Sequence, residues 1–470
     1  MEQKHFIAKI SHLQADTFTP VGIYLRLRDA FPQSLLLECS DYSSRHDSFS
    51  YICLKPVLGF EADRDALLVR EAGKPGKTAG IGSFDSPAGF VDAFLDHIHI
   101  EGDVDEKTMP GLFGYTTYDA VDLFDNVNLG NPANEPDRIP LFRYDLYQVV
   151  IAFNHFNSTL VITELLSQQA TSEMPRVMSL LANRNATAFP FKMEGKEYSP
   201  VTDGQFKDMV GKGIMHCARG DVFQIVLSRR FEQAFTGDEF NVYRALRSVN
   251  PSPYLFYFDF LSYKLFGSSP EAQLRVGEGK AIINPIAGTV VRTGNPVEDN
   301  ELIAELLINK KENAEHCMLV DLARNDLSKH SSHVTVETYR EVQTYSHVIH
   351  LVSTVSGILS EHAPTYKLFA DTFPAGTLSG APKHKAIQLI DQYESSARGF
   401  YGGGIGILGL RKSLNHAIMI RSFISKNGKL TYQAGAGVVI DSSPEGELKE
   451  VDGKISALRR AIRLAEQFVT

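Results

Sequence analysis

The chain has 470 residues, of which 43% are apolar, enough for large cores and for roughly two or three folding units. Its formal net charge of −9 argues against a general nucleic-acid or anionic-membrane binder, because those partners need clustered Lys and Arg. The N-terminus has no continuous hydrophobic stretch and no later segment approaches about eighteen consecutive apolar residues, so a cytoplasmic protein is expected.

Up to Leu166 the chain alternates strand-like runs (Ser34 to Glu38, Tyr51 to Leu54, Tyr147 to Phe153, Thr159 to Thr163) with loops and short helical patterns. This defines an expected N-terminal region, 1–166. Residues 167–197 read as a helix-compatible stretch followed by mixed polar residues, a connecting segment. At Tyr198 to Thr202 an extended segment enters a helix N-cap and opens a second region, 198–470. That region carries long strand pairs, Pro253 to Phe260 with Tyr263 to Ser268 and Ala417 to Ser425 with Leu430 to Val439. Helical patterns cover Asp299 to Leu327 and the stretch from Pro444 to the C-terminus. Long antiparallel strands grouped apart from helices predict an α+β fold: antiparallel β-sheets packed as a sandwich with helices on the outer faces.

Cys39, Cys53, Cys217 and Cys317 show neither paired spacing nor a metal rhythm, which disfavours structural zinc and a disulfide framework. Two carboxylate pairs share a spacing that puts both members on one helix face: Glu312 with Glu315, and Glu447 with Glu450. Taken alone, each fits a solvated face better than a metal site. Taken together, oxygen ligands from two helices suit octahedral Mg²⁺ better than zinc. The run Gly404 to Gly409 formally matches a dinucleotide fingerprint. It is followed by strand-like alternation, with no acid between Leu410 and Ile440, so the nucleotide reading is rejected. Glycines in strands, here and at Gly435-Ala436-Gly437, mark a bulge or a close backbone approach. The stretch Pro374 to Lys383 is either a plain turn or a seat for an anion on exposed N–H groups and the Thr377 hydroxyl.

These segments, with Gly220 to Ser228, Ser269-Pro270-Glu271, Pro285 to Thr289, Lys311 to Asp326 and His347 to His350, resemble the chorismate-binding enzyme family. Within it the likeness is to the anthranilate synthase large subunits, over nearly the whole chain. The resemblance implies that Glu312, Glu315, Glu447 and Glu450 bind Mg²⁺ together with the ring carboxylate of chorismate. It implies that Glu271 is the general acid for the departing C4 hydroxyl and that His350 sits beside the ring. Arg421 would take the enolpyruvyl carboxylate. Gly288, Thr289, Thr377, Tyr401, Gly435, Ala436 and Gly437 would make further contacts at the site, with Thr377 placed among the catalytic residues. Outside the resemblance, the glutamate pairs also read as a solvated helix face, Arg421 as a solvated charge, Glu271 as a turn residue, His350 as a structural histidine, and the others as core, bulge or turn positions.

Two positions narrow the expected chemistry. Family members that add water carry a lysine where this chain has Gln224, and members that aminate C4 carry one where it has Ala287. Amination at C2 with loss of pyruvate, giving anthranilate, is therefore expected; aminodeoxychorismate synthesis and a non-catalytic tryptophan sensor are the alternatives. No segment resembles a glutamine amidotransferase, which implies a separate glutaminase subunit, in a heterotetramer of two large and two small subunits. Glu38, Cys39 and Ser50, with Asn250, Pro251, Ser252, Pro253 and Tyr254, resemble the family's feedback site for L-tryptophan. Cys39 stands where serine is usual and is a weaker hydrogen-bonding group.

Overall fold

The computed structural model describes residues 2–39, 48–80, 86–125, 127–130, 138–168, 170–183, 185, 187–344, 348–361 and 363–468, apart from the side chains of Thr289 and Lys311. Strands pair into one network whose only parallel contact, among the described residues, joins Lys4–Gln14 to Ile98–Glu101. Its hub is the long antiparallel pair Phe49–Ala62 with Phe142–Asn154.

Two arms leave this hub. The first runs through Leu35–Cys39, Tyr254–Asp259, Lys264–Ser269, Ser422–Lys426, Lys429–Val438 and Gln224–Gly237 to Phe191–Tyr198. The second runs through Gly111–Thr116, Gly404–Gly409, Leu414–Ile418, Ala272–Gly277 and Lys280–Ile283 to Val348–Leu359 and Ser331–Thr344. Residues 1–166 and 198–470 therefore share one set of hydrogen-bonded strands.

Alternation along the strands builds two cores. Leu37, Phe256 and Leu265 of the first arm face Phe113, Leu274 and Ile407 of the second in a sandwich interior. Their neighbours Leu36, Tyr257 and Phe266 point the other way. There they meet helices Asp203–Arg219, Phe240–Val249 and Pro444–Ala465 in a second core. Fully buried Tyr and Phe side chains dominate both cores and carry the largest apolar area per residue. Helix starts follow their local chemistry. Thr202 and Gln205 form a reciprocal capping box, and Ser443 accepts from Gly446 N–H ahead of Pro444 at the first helical position.

Three elements differ from the sequence reading. Phe191–Tyr198 is an edge strand rather than a linker, its exposed polar face having hidden its pairing to Gln224–Gly237. The helix expected from Asp299 to Leu327 is two, Pro296–Ile308 and Lys310–Ser328. Asn309 adopts an extended conformation between them, and its side chain accepts from Glu312 N–H at 3.2 Å. The strand expected from Ala417 to Ser425 breaks at residues 419–421, where Arg421 has φ +49°.

Candidate active site

A cavity of about 420 Å³ opens where the two arms meet helices Lys310–Ser328 and Pro444–Ala465. It gathers most of the residues singled out above: Glu271, Gly288, Glu312, Glu315, His350, Thr377, Tyr401, Arg421, Gly435, Gly437 and Glu450. Gln224 and Ala287 line it too.

Glu271 lies between strands Lys264–Ser269 and Ala272–Gly277, and its carbonyl accepts from Ile418 N–H at 3.0 Å. This fixes the backbone so that the carboxyl group faces the cavity. Thr377, in the single turn Gly376–Ser379, donates its hydroxyl proton to Glu271 Oε1 at 3.0 Å. Desolvation raises the carboxyl pKa to about 7, against the opposing pull of that hydrogen bond and of the Lys454 and Arg421 charges. The result is an acid that still carries its proton near neutrality.

His350 is buried in the strand Val348–Leu359, with Nδ1 3.4 Å from Gly288 O. Burial, helped by the Arg421 charge, lowers its pKa to about 4, so the ring is neutral in the working range. Gly288 sits at an irregularity in the pairing of Ile286–Val291 and has φ +72°, which side chains rarely tolerate. A Cβ there would lie 2.8 Å from Leu306 Cδ1 and 3.5 Å from Glu312 Oε2. The backbone of Thr289 pairs with His350; its side chain lies outside the described residues.

Arg421 reaches in from the break between Leu414–Ile418 and Ser422–Lys426, and Nη1 donates to Asn250 Oδ1 at 3.2 Å. Burial lowers its pKa while Glu271 opposes the shift, and the guanidinium stays charged. The amide oxygen leaves that charge unneutralised, and the other nitrogens can serve a planar anion. On the opposite wall Gly435 and Gly437 face the cavity, and a Cβ on Gly437 would come within 2.5 Å of Gln224 Nε2. Ala436 points the other way, fully buried in the helix-covered core. Buried Tyr401 holds its hydroxyl beside Gly435, 3.0 Å from where a Cβ on that glycine would lie.

The acidic residues form a looser group. Gln224 Nε2 donates to Glu315 Oε1 at 3.0 Å, and Lys454 bridges Glu450 Oε1 at 2.8 Å and Gly435 O at 2.9 Å. Glu447, one turn before Glu450, is buried behind the cavity lining. Among the described residues no three His, Cys, Asp or Glu side chains converge tightly enough to hold a metal ion. The donor set is nonetheless wholly carboxylate around one polar cavity, which fits a hard cation such as Mg²⁺ and not zinc.

Two polar lining residues escaped the sequence reading. Lys454 is four residues after Glu450 on the same helix face, and Gln433 is two before Gly435 on the same strand face. Both spacings were available as signals.

The second group of expected residues also meets in space. Glu38 and Cys39 pair with Ser50 and Phe49 on one side and with Leu255 and Tyr254 on the other. Glu38 is buried and accepts from Tyr243 at 2.6 Å and from Arg247 Nε at 2.9 Å. Ser50 Oγ lies 2.7 Å from His155 Nε2. Asn250 caps helix Phe240–Val249 and binds Ser252 Oγ at 3.3 Å, while the Tyr254 hydroxyl donates to Asn415. Pro251 and Pro253 complete this turn. Burial pushes the Cys39 thiol up to about 12. Residues 40–47, which follow Cys39, lie outside the described residues.

Comparison with known proteins agrees with this geometry. The family model described as chorismate binding enzyme matches residues 62–460. Anthranilate synthase component 1 of Aquifex aeolicus is 35% identical over 99% of this chain and 96% of its own length. The protein of that name from Neisseria gonorrhoeae is 34% identical over 98% and 96%. The crystal structure of anthranilate synthase component I from Streptococcus pneumoniae superposes with a TM-score of 0.75 at 30% identity, covering 95% of this chain and 99% of that one. The menaquinone-specific isochorismate synthase MenF of Escherichia coli shares the fold, with a TM-score of 0.73 at 18% identity, covering 97% and 94%. The chain belongs to the chorismate-binding enzyme family, alongside the anthranilate synthase component I proteins.

Proposed function

We propose that the chain is the chorismate-converting subunit of an anthranilate synthase, acting as a lyase in the first step of L-tryptophan synthesis. The net reaction turns chorismate and ammonia into anthranilate, pyruvate and water. The observation that carries this reading is the buried Glu271 carboxyl, its pKa raised to about 7, bonded to Thr377 in a cavity that it shares with Arg421 and His350.

Arg421 and Lys454 supply two cations for a substrate with two carboxylates, while the backbone beside Gly435 and Gly437 permits close approach. Ammonia forms a bond to C2 as the C4–O bond breaks, and Glu271 gives its proton to the departing oxygen, which leaves as water. The C2 proton is then removed and the enolpyruvyl oxygen leaves C3, which makes the ring aromatic and releases pyruvate. His350, neutral and beside the ring, assists that elimination. Glu312, Glu315 and Glu450 would hold Mg²⁺, with Glu447 behind them; when bound, the ion offsets repulsion between the substrate carboxylate and this acidic wall. No lysine stands at Gln224 or Ala287 to activate water or to act as a nucleophile, which favours C2 amination over the related chemistries.

The proposal extends to a partner glutaminase subunit that delivers ammonia, a heterotetramer of two large and two small subunits, a cytoplasmic location, and inhibition by L-tryptophan at the Glu38 site. No helix among the described residues is long and apolar enough to cross a membrane. The test is to incubate the purified chain with chorismate, Mg²⁺ and ammonium at alkaline pH and to identify the aromatic product. Anthranilate supports the proposal; aminodeoxychorismate, isochorismate or no turnover refutes it.

A further inference from the structure

Directly behind the cavity wall lies an ion pair that the chemistry above does not use. Arg398 is 3% exposed, and its Nε and Nη2 donate to the two oxygens of Glu394 at 2.9 and 2.6 Å. The same guanidinium donates to Val226 O at 2.7 Å and to Leu378 O at 2.5 Å. It also lies 4.6 Å from the Tyr118 ring centre and 5.8 Å from that of Tyr401. Glu394 Oε1 in turn accepts from Ser228 N–H at 2.8 Å and from its hydroxyl at 2.7 Å. The Ser228 hydroxyl accepts from Gln433 at 2.7 Å.

Val226, Leu378, Tyr401 and Gln433 all line the cavity and come from separate segments of chain. Leu378 directly follows Thr377, the residue that donates to Glu271. Burying a guanidinium and a carboxylate costs desolvation that their attraction often fails to recover, so stability is a poor reason for such a pair. A planar fork with fixed donors is, however, well suited to set the spacing of several carbonyls at once. Lysine would keep the charge and lose that geometry.

We propose that Arg398, anchored by Glu394, is a positioning residue that fixes Thr377 against Glu271 and Tyr401 against Gly435. This rests on the function proposed above. A displaced hydroxyl at Thr377 leaves the general acid misaligned without changing the cations that bind substrate, so the loss belongs in kcat rather than KM.

The test compares wild type, Arg398→Lys, Thr377→Val and the double variant in ammonia-dependent anthranilate formation. Arg398→Lys is expected to lower kcat by about tenfold or more while KM for chorismate stays within about threefold, in a protein that melts cooperatively. In the Thr377→Val background the same change is expected to add less than about twofold, because its target is already gone. A folded Arg398→Lys protein with unchanged kcat overturns the inference, and so does a loss that multiplies in full on top of Thr377→Val. If Arg398→Lys does not fold, the charge-free pair Glu394→Gln with Arg398→Met is put through the same cycle with the same two criteria. Wild type that makes no anthranilate refutes the reading of the site itself; active wild type with an indifferent Arg398 refutes only this step.

Discussion

Replacing Thr377 by Val deletes one hydroxyl and keeps the shape, which makes it a direct probe of the acid. In the folded protein that hydroxyl donates to Glu271 Oε1 at 3.0 Å and favours the ionised form. A hydrogen bond to a charged acceptor is worth about 1.5–3 kcal/mol, and a pKa unit about 1.4 kcal/mol, so the full effect is about one to two units. Water in the cavity reduces this to about one unit. Starting from about 7, the Glu271 pKa in the variant should therefore move upward. The assay is kcat/KM for chorismate against pH, at constant free ammonia so that the nucleophile does not titrate. The alkaline limb, where the acid loses its proton, should shift to higher pH by about one unit, with a plateau several-fold lower because the acid is weaker and less well aligned. A limb that stays in place or moves to lower pH would refute the assignment of Glu271 as the group that must be protonated.

Glu271→Gln should abolish anthranilate formation and also stabilise the protein. A pKa raised from 4.5 to about 7 means that stability is highest below the unfolded value and is lost as pH rises toward the folded one. The variant should thus gain up to about 3 kcal/mol over wild type at pH 8, and the gain should vanish near pH 4 in denaturant titrations. Gly437→Ala should push Gln224 off Glu315, raising the Mg²⁺ concentration needed for half-maximal rate by several-fold with less than about 1 kcal/mol lost in stability, since the clash is with a movable side-chain end. Chelation should stop turnover, and Glu312→Gln or Glu450→Gln should raise the Mg²⁺ requirement by about tenfold or more, measured by titrating the ion back. Saturating tryptophan should raise the Tm of wild type, by about 2.7 kcal/mol of stabilisation at a hundredfold excess over Kd, and Glu38→Gln should remove the shift; no shift in wild type refutes the regulatory site.

Much of the site was legible because period and spacing survive folding. Glu312 and Glu315 share a helix face as their separation requires, and the strand Lys429–Val438 turns Gly435 and Gly437 toward the cavity together. The same period-two rule sends the Ala436 side chain to the other face and brings in Gln433, a residue that glycine spacing does not supply. Local pattern could not show the consequences of burial. Glu271 reads as a turn acid after a strand, and its raised pKa comes from segments distant in sequence that exclude water around it. The break at residues 419–421 was likewise invisible, because its strand-like residues gave no turn signal while tertiary packing holds Arg421 at positive φ. Asn309, one polar residue within a helical pattern, is compatible with a continuous helix by sequence and instead divides it.

The branched strand network constrains how the chain can be made. Leu35–Cys39 finds its second neighbour only at Tyr254–Asp259, and Gly111–Thr116 is covered only when Gly404–Gly409 arrives. During synthesis the N-terminal strands therefore wait, with open edges, for partners that leave the ribosome much later. A fragment ending before residue 404 would expose the edge of Gly111–Thr116 to any extended segment nearby, including another copy of itself. Production of this protein in soluble form should accordingly depend on its last seventh more than on its first, and C-terminal truncations should aggregate before they lose secondary structure.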